Sequence, residues 1–265
     1  NERYEEVPRH NSTKSNSFLF VVSVGKYKNL SFIPYKGSYF TRIDNNLVKE
    51  YNLVVWKKSR LTGGADANRH RTSQVIIPFF KTGNVITHNE LAYFSDKSFI
   101  KVEKRAIGGF IGLDFLREHL AIVDVTNKIL YLKSNNKNKV THYSDILTKK
   151  GYKIISLGRS PSGHQIIIAQ INKEKPTDFM FDSGIPVTML STEYAKKLEL
   201  KITKRPIVGK GSGGGKMEMS EIPTQKFIVE RISWSPKQIV ATDFKYVTIG
   251  MPISGAIGLD WMQAN

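Results

Sequence analysis

Short apolar runs alternate with polar and turn-forming residues along most of the chain. Segments 17–24, 75–80, 121–125, 129–132, 166–171, 179–181 and 225–229 carry the β-branched and aromatic content of strands, bounded by Gly, Pro, Asn and Ser. Helical spacing of apolar residues is brief. It covers 45–51 and 192–198, about two turns each by the 3.6-residue period, with Asp44 and Ser191 placed as N-caps. The pattern predicts an all-β chain with short helices.

The strand pattern also repeats. Asp182 set over Tyr35, an offset of 147, brings Gly184 onto Gly37, Thr188 onto Thr41, Leu190 onto Ile43, Leu198 onto Tyr51 and Leu200 onto Leu53. Farther on, 255–261 (Gly-Ala-Ile-Gly-Leu-Asp-Trp) matches 109–115 (Gly-Phe-Ile-Gly-Leu-Asp-Phe) at an offset of 146. Upstream, the run at 152–157 followed by Arg159 parallels 4–7 followed by Arg9. Two distant blocks at nearly one offset predict two similar units. The polar stretch 134–139 reads as the linker, giving one lobe over 1–133 and another over 140–265. The second copy stops at Asn265, opposite His119. It lacks a counterpart of 120–133, so an apolar, strand-forming tail beyond Asn265 is expected to complete its sheet.

Composition narrows the classes. The chain has 265 residues, 40% apolar and 11% aromatic, which suits a globular protein. No run approaches the roughly 18 apolar residues of a membrane helix, and the polar start 1–6 is not signal-like. There is no cysteine, which excludes disulfides, thiolate nucleophiles and Cys-based zinc sites. That composition suits an exported protein, periplasmic or on the cell surface, and also a cytoplasmic one; export is favoured. The net charge of +17 comes from scattered Lys and Arg rather than an aromatic-interleaved basic patch, so no nucleic acid is expected. The six His residues show no metal-ligand spacing. No metal or cofactor is expected.

The segment Phe181-Asp182-Ser183-Gly184, followed by Thr188-Met189-Leu190 and a short helix, resembles the catalytic Asp-Thr/Ser-Gly segment of the retropepsin-like (pepsin-type) aspartic proteases. The Gly-rich stretch with Gly211, Gly213 and Gly214 is similar to that family's glycine-rich segment and reads as a flap-like loop, with Gly63 and Gly64 as its first-copy counterpart. Ile257-Gly258 and Ile111-Gly112 are similar to the apolar-Gly signature that supports the catalytic loop through a ψ-shaped strand crossing. The resemblance implies two closed β lobes related by a pseudo-twofold axis, with a peptide-binding cleft between them.

In that family two carboxylates share one proton, because like charges held close cannot both ionise easily. One activates a water and the other hydrogen-bonds the scissile carbonyl. Here Asp182, Ser183 and Gly184 supply one half. The first copy departs from the pattern: Tyr35 stands in place of the acid, Lys36 in place of Ser or Thr, and Gly37 is retained. A phenol with a pKa near 10 does not substitute for a carboxylate, and Lys36 is expected to hold Asp182 ionised. Three readings follow. The chain binds a peptide or protein in the cleft without conventional peptidase activity; or two chains pair as a homodimer so that two copies of Asp182 meet; or Asp182 works with Tyr35 or Lys36 in a modified hydrolysis. Trp56, Trp234 and Trp261 are expected in the core.

Overall fold

A computed structural model describes residues 4–9, 19–63, 69–95, 101–102, 105–133, 143–203, 206–210, 216–244 and 250–265. The linker expected over 134–139 lies outside them. The first half runs β1 (Tyr4–Glu6), β2 (Phe20–Val24), β3 (Tyr27–Pro34), β4 (Arg42–Ile43), α1 (Asn45–Glu50), β5 (Val54–Gly63), β6 (Arg69–Thr82) and β7 (Val85–Ser95). A small pair, β8 (Lys101–Val102) and β9 (Arg105–Ala106), precedes β10 (Gly109–Ile111), α2 (Leu113–Glu118), β11 (Ile122–Asp124) and β12 (Ile129–Lys133). The second half runs α3 (Tyr143–Lys149), β13 (Gly158–Arg159), β14 (Gln165–Ile171), β15 (Thr177–Phe181), β16 (Met189–Ser191), α4 (Thr192–Lys197) and β17 (Ile207–Lys210). It ends with β18 (Lys216–Ile222), β19 (Phe227–Val229), β20 (Ile232–Trp234), β21 (Ile239–Thr242), β22 (Gly255–Ile257) and α5 (Leu259–Ala264). The all-β class with short helices expected from the sequence is what the chain adopts.

In the first sheet the order β2-β3-β10-β4-β7-β6 closes on itself through a β2–β6 pairing, and β5 extends β6 outward. The result is a six-stranded closed barrel, which leaves no free edge within the ring. The pairings of the second sheet follow the same register. Val22 pairs with Thr82, and Ala169 pairs with Val229; Arg42 pairs with Tyr93, and Met189 pairs with Val240. Both pairs are related by 147. The long hairpin β6–β7 of the first half appears in the second as two shorter pairs, β18–β21 and β19–β20. Pro223 and Pro236 fall in the interruptions, and Pro cannot donate to a ladder.

Turn chemistry repeats as well. The left-handed positions Gly25, Asn52 and Gly83 have counterparts in Asn172, Glu199 and Glu230, all at positive φ. Each closes a hairpin or a helix end where the chain must reverse. Both N-caps form as expected: Asp44 accepts from the Asn46 N–H and Ser191 from the Tyr194 N–H. Phe20, Val22, Phe32, Ile43, Ile77 and Phe80 of the first half and Ile167, Ala169, Phe179, Leu190, Phe227 and Ala241 of the second are buried in a continuous apolar core.

The ends of the two halves differ. β1 pairs with β12, which pairs with β11, in a three-stranded sheet. Residues 152–157, the sequence counterpart of β1 and its flank, have no strand partner among the described residues before β13 begins; Ile155 and Leu157 pack on the core while Tyr152 and Ile154 face solvent. Trp261 is buried as expected and Trp234 is half-buried, but Trp56 is 66% exposed on the outer strand β5, which among the described residues has a neighbour strand on one side only. The helices α2, α3 and α5 were not anticipated.

Candidate active site

The loop after β15 carries Asp182, and the loop after β3 carries Tyr35. Each loop is held from below by the same device. β10 lies between β3, to which it runs parallel, and β4, to which it runs antiparallel; β22 stands in the same relation to β15 and β16. Ile111 and Ile257 each end the strand that lies between these two neighbours, and Gly112 and Gly258 follow them. The last strand residue delivers a carbonyl to the loop: Tyr35 N–H donates to Ile111 at 2.9 Å, and Asp182 N–H donates to Ile257 at 3.1 Å.

A second support had not been recognised as such. Asp114 accepts from the Thr41 amide and hydroxyl at 2.9 Å, and Thr41 Oγ1 accepts from the Gly112 N–H at 3.1 Å. Asp260 accepts from the Thr188 amide at 2.8 Å and its hydroxyl at 2.9 Å, and Thr188 Oγ1 accepts from the Gly258 N–H at 3.1 Å. Each threonine thus ties the strand after its loop to the helix that follows Gly112 or Gly258. Burial raises the proton affinity of Asp114 and Asp260, and these donated hydrogen bonds counter it. The signal was in the sequence, since Thr and Asp recur at the two repeat offsets.

The two loops meet. A Cβ built on Gly37 would fall on the Asp182 carboxylate, and one built on Gly184 would fall on the Tyr35 ring. Only glycine permits either approach. The Asp182 carboxylate accepts from the Gly184 N–H at 2.8 Å and also from the Gly37 N–H and the Tyr35 hydroxyl. Ser183 bridges the loops from beneath: its hydroxyl donates to the Pro34 carbonyl at 3.5 Å and accepts from the Lys36 N–H at 3.4 Å. Both contacts are long, at the limit of useful hydrogen bonding. Lys36 offers no hydroxyl to return the bridge. Its ammonium lies 5.4 Å from the centre of the Phe181 ring.

Asp182 is 1% exposed, while Gly184 and Pro186 on the rim of the same loop face solvent. Burial pushes the Asp182 carboxyl up from 3.8 to about 6, against three hydrogen bonds and the charge of Lys36. Lys36 favours ionised Asp182, but desolvation by burial is the larger effect on the carboxyl, and burial lowers the proton affinity of Lys36 itself. The arrangement can hold a proton on a carboxyl near neutral pH and present it beside a phenol.

Of the flap-like glycines, Gly63 is the last residue of β5 and pairs with Arg69, while Gly64, Gly211, Gly213 and Gly214 lie outside the described residues. Among the described residues no group of three or more His, Asp or Glu could hold a metal ion, and no helix is long and apolar enough to cross a membrane.

Residues 167–261 match the family model described as aspartyl protease. That stretch contains the Asp182 loop, its threonine and Gly258. Nothing among curated proteins matches the chain. Among solved structures, EIAV protease complexed with the inhibitor HBY-793 is similar at 19% identity with a TM-score of 0.28, over 42% of this chain and 93% of that one.

Proposed function

We propose that the chain is an internally duplicated protein of the aspartic-protease type, with lobes over 1–133 and 140–265, that binds an extended peptide or protein segment in a cleft over Asp182 and does not perform conventional two-carboxylate hydrolysis. One observation carries this reading. The loop facing Asp182 presents the Tyr35 hydroxyl to its carboxylate, where the two-carboxylate mechanism needs a second acid. A shared-proton dyad needs two groups that ionise in the same range. Tyr35 ordinarily ionises near pH 10, so it remains a donor throughout the range in which Asp182 titrates.

In this reading Asp182 and Tyr35 act as recognition groups. Protonated Asp182 donates to a ligand carbonyl; ionised Asp182 accepts from a ligand amide. Gly37 and Gly184 bring the backbone close to both. The register correspondence of the two sheets supports the duplication, and the family match over 167–261 supports the type. The geometry weighs against pairing of two chains through Asp182. Its carboxylate already bonds Gly37 and Tyr35 of its own chain, and a second Asp182 would have to displace them.

A modified hydrolysis remains the second reading, favoured by the raised proton affinity of Asp182. Asp182 would serve as the base, with Tyr35 donating to the carbonyl oxygen. The two readings separate in one experiment. A mixed peptide library is incubated with the protein and with Asp182→Asn from acid to neutral pH, and cleavage is read by mass spectrometry alongside retention of intact peptides. Retention without new termini supports the binding reading. New termini that vanish in Asp182→Asn overturn it in favour of hydrolysis.

A further inference from the structure

The hairpin β13–β14 carries a polar chain that ends on the Asp182 loop. Its tip turns at 160–163, where Ser160 N–H donates to the His164 carbonyl at 3.0 Å and Gly163 N–H donates to the Ser160 carbonyl at 2.9 Å. His164 N–H donates to Ser160 Oγ at 3.1 Å, Ser160 Oγ lies 3.0 Å from Ser162 Oγ, and Ser162 Oγ lies 2.8 Å from His164 Nδ1. The ring also hydrogen-bonds the Gly37 backbone. With Nδ1 engaged by Ser162, the nitrogen facing Gly37 is Nε2. Gly37 in turn gives its N–H to Asp182.

Donors and acceptors run head to tail from Ser160 to the Gly37 carbonyl in one protonation state, and Gly37 carries the link on to Asp182 through its backbone. Ser160 donates to Ser162, Ser162 donates to Nδ1 of neutral His164, Nε2–H donates to the Gly37 carbonyl, and Gly37 N–H donates to Asp182. Imidazolium would place a second N–H against Ser162 and reverse that link. The hairpin tip is fixed independently of the ring. Gly163 packs on the Tyr39 ring, Arg117 of α2 donates to the Gly163 carbonyl at 3.5 Å, and the Arg117 guanidinium lies 5.9 Å from the Tyr39 ring centre.

We infer that His164 is a positioning residue for Asp182: by holding the Gly37 carbonyl it fixes the Gly37 backbone and so aims the Gly37 N–H at the carboxylate. The Gly37 carbonyl and N–H belong to different planar peptide groups, so the ring acts through the orientation of the Gly37 backbone rather than by polarisation along the chain. A well-aimed Gly37 N–H favours ionised Asp182, so by fixing it the ring lowers the proton affinity that burial raises. The charged and titratable groups packed at the hairpin tip are Arg117 of α2, with Arg159 and Tyr39 beside it, and Asp182 lies beyond Gly37. Burial favours the neutral imidazole, and the bond to Gly37 opposes it. The inference rests on Asp182 being the acid at the centre of the proposed site, but its test needs no ligand.

Carboxyl carbon resonances of Asp182, assigned by comparison with Asp182→Asn, are followed against pH in the wild type, His164→Phe, His164→Gln and Ser162→Ala. Phe keeps the ring and removes the donor; Gln can restore a donor near Nε2. The expected result is an Asp182 titration about half a pH unit higher in His164→Phe, about threefold in proton affinity, returning toward wild type in His164→Gln. Ser162→Ala, which frees the tautomer, is expected to give a smaller shift in the same direction. The Gln and Ala variants decide the case if His164→Phe does not fold. Unchanged Asp182 titration in folded His164→Phe overturns the inference. So does an equal shift in His164→Phe and His164→Gln, and so does unchanged titration in Ser162→Ala where the Phe variant is lost. Absence of peptide binding in every variant would instead count against the proposed function.

Discussion

Replacing Asp182 by Asn removes the charge that burial opposes. In the folded chain the carboxyl is pushed up from 3.8 to about 6, first by desolvation; unfolded, it should titrate near 3.9. A gap of about two pH units corresponds to about 3 kcal/mol at roughly 1.36 kcal/mol per unit. The folded state holds the proton more tightly, so this stabilisation is complete below about pH 4 and is lost as pH rises through about 6. Asn keeps the size of the side chain and has nothing to ionise. Its amide meets the Gly37 N–H less well than a carboxylate oxygen does, so the gain is an upper value. Asp182→Asn should therefore match or fall below the wild type near pH 4 and become more stable by up to about 3 kcal/mol above pH 7. Urea unfolding of both proteins at half-unit steps of pH measures the difference directly. A variant less stable than wild type above pH 7, or a difference that does not change with pH, would refute the desolvation argument.

Other substitutions test the supports around the site. A Cβ on Gly37 would lie 2.5 and 2.6 Å from Asp182 Cγ and Oδ1, so Gly37→Ala should lose about 2–5 kcal/mol through overpacking and a lost charge-assisted bond. Gly158→Ala, with its nearest neighbour at 3.6 Å, should stay within about 0.5 kcal/mol in the same unfolding assay. Thr188→Val strips the Gly258 N–H and Asp260 of a buried partner, and should cost about 2–3 kcal/mol by thermal unfolding; Thr41→Val should cost a similar amount, and a neutral result at both would remove the clamp from the account. Ser183→Ala breaks two contacts at 3.4–3.5 Å and should cost less than about 1 kcal/mol, because bonds that long contribute little.

The Asp182 loop was legible because three buried apolar residues run into Asp-Ser-Gly, and the same rhythm appears at Tyr35. The strands were legible from alternation, since a buried interior enforces a period of two. α2 and α5 escaped because, unlike α1 and α4 of the same six-residue length, they start after Gly112 and Gly258, with no side-chain N-cap to mark the beginning of a helix. The division of the second hairpin was marked by Pro223 and Pro236 but could not be placed without its partner strands. The sequence put Lys36 near Asp182 and suggested ionisation. Whether charge or desolvation prevails depends on burial to 1% exposure, which no local spacing encodes. His164 was hidden for a related reason: its partner Gly37 is 127 residues away and comes near only when the hairpin tip folds over the opposite loop.

The central claim is that Asp182 lacks only a matching acid from the opposite loop. Tyr35→Asp tests it most directly, with wild type and variant given the same peptide library from acid to neutral pH. The account predicts that wild type retains peptides uncleaved, and that Tyr35→Asp cleaves them with an acid-shifted profile that disappears in the double variant with Asp182→Asn. Cleavage by the wild type that Tyr35→Asp leaves unchanged would contradict it.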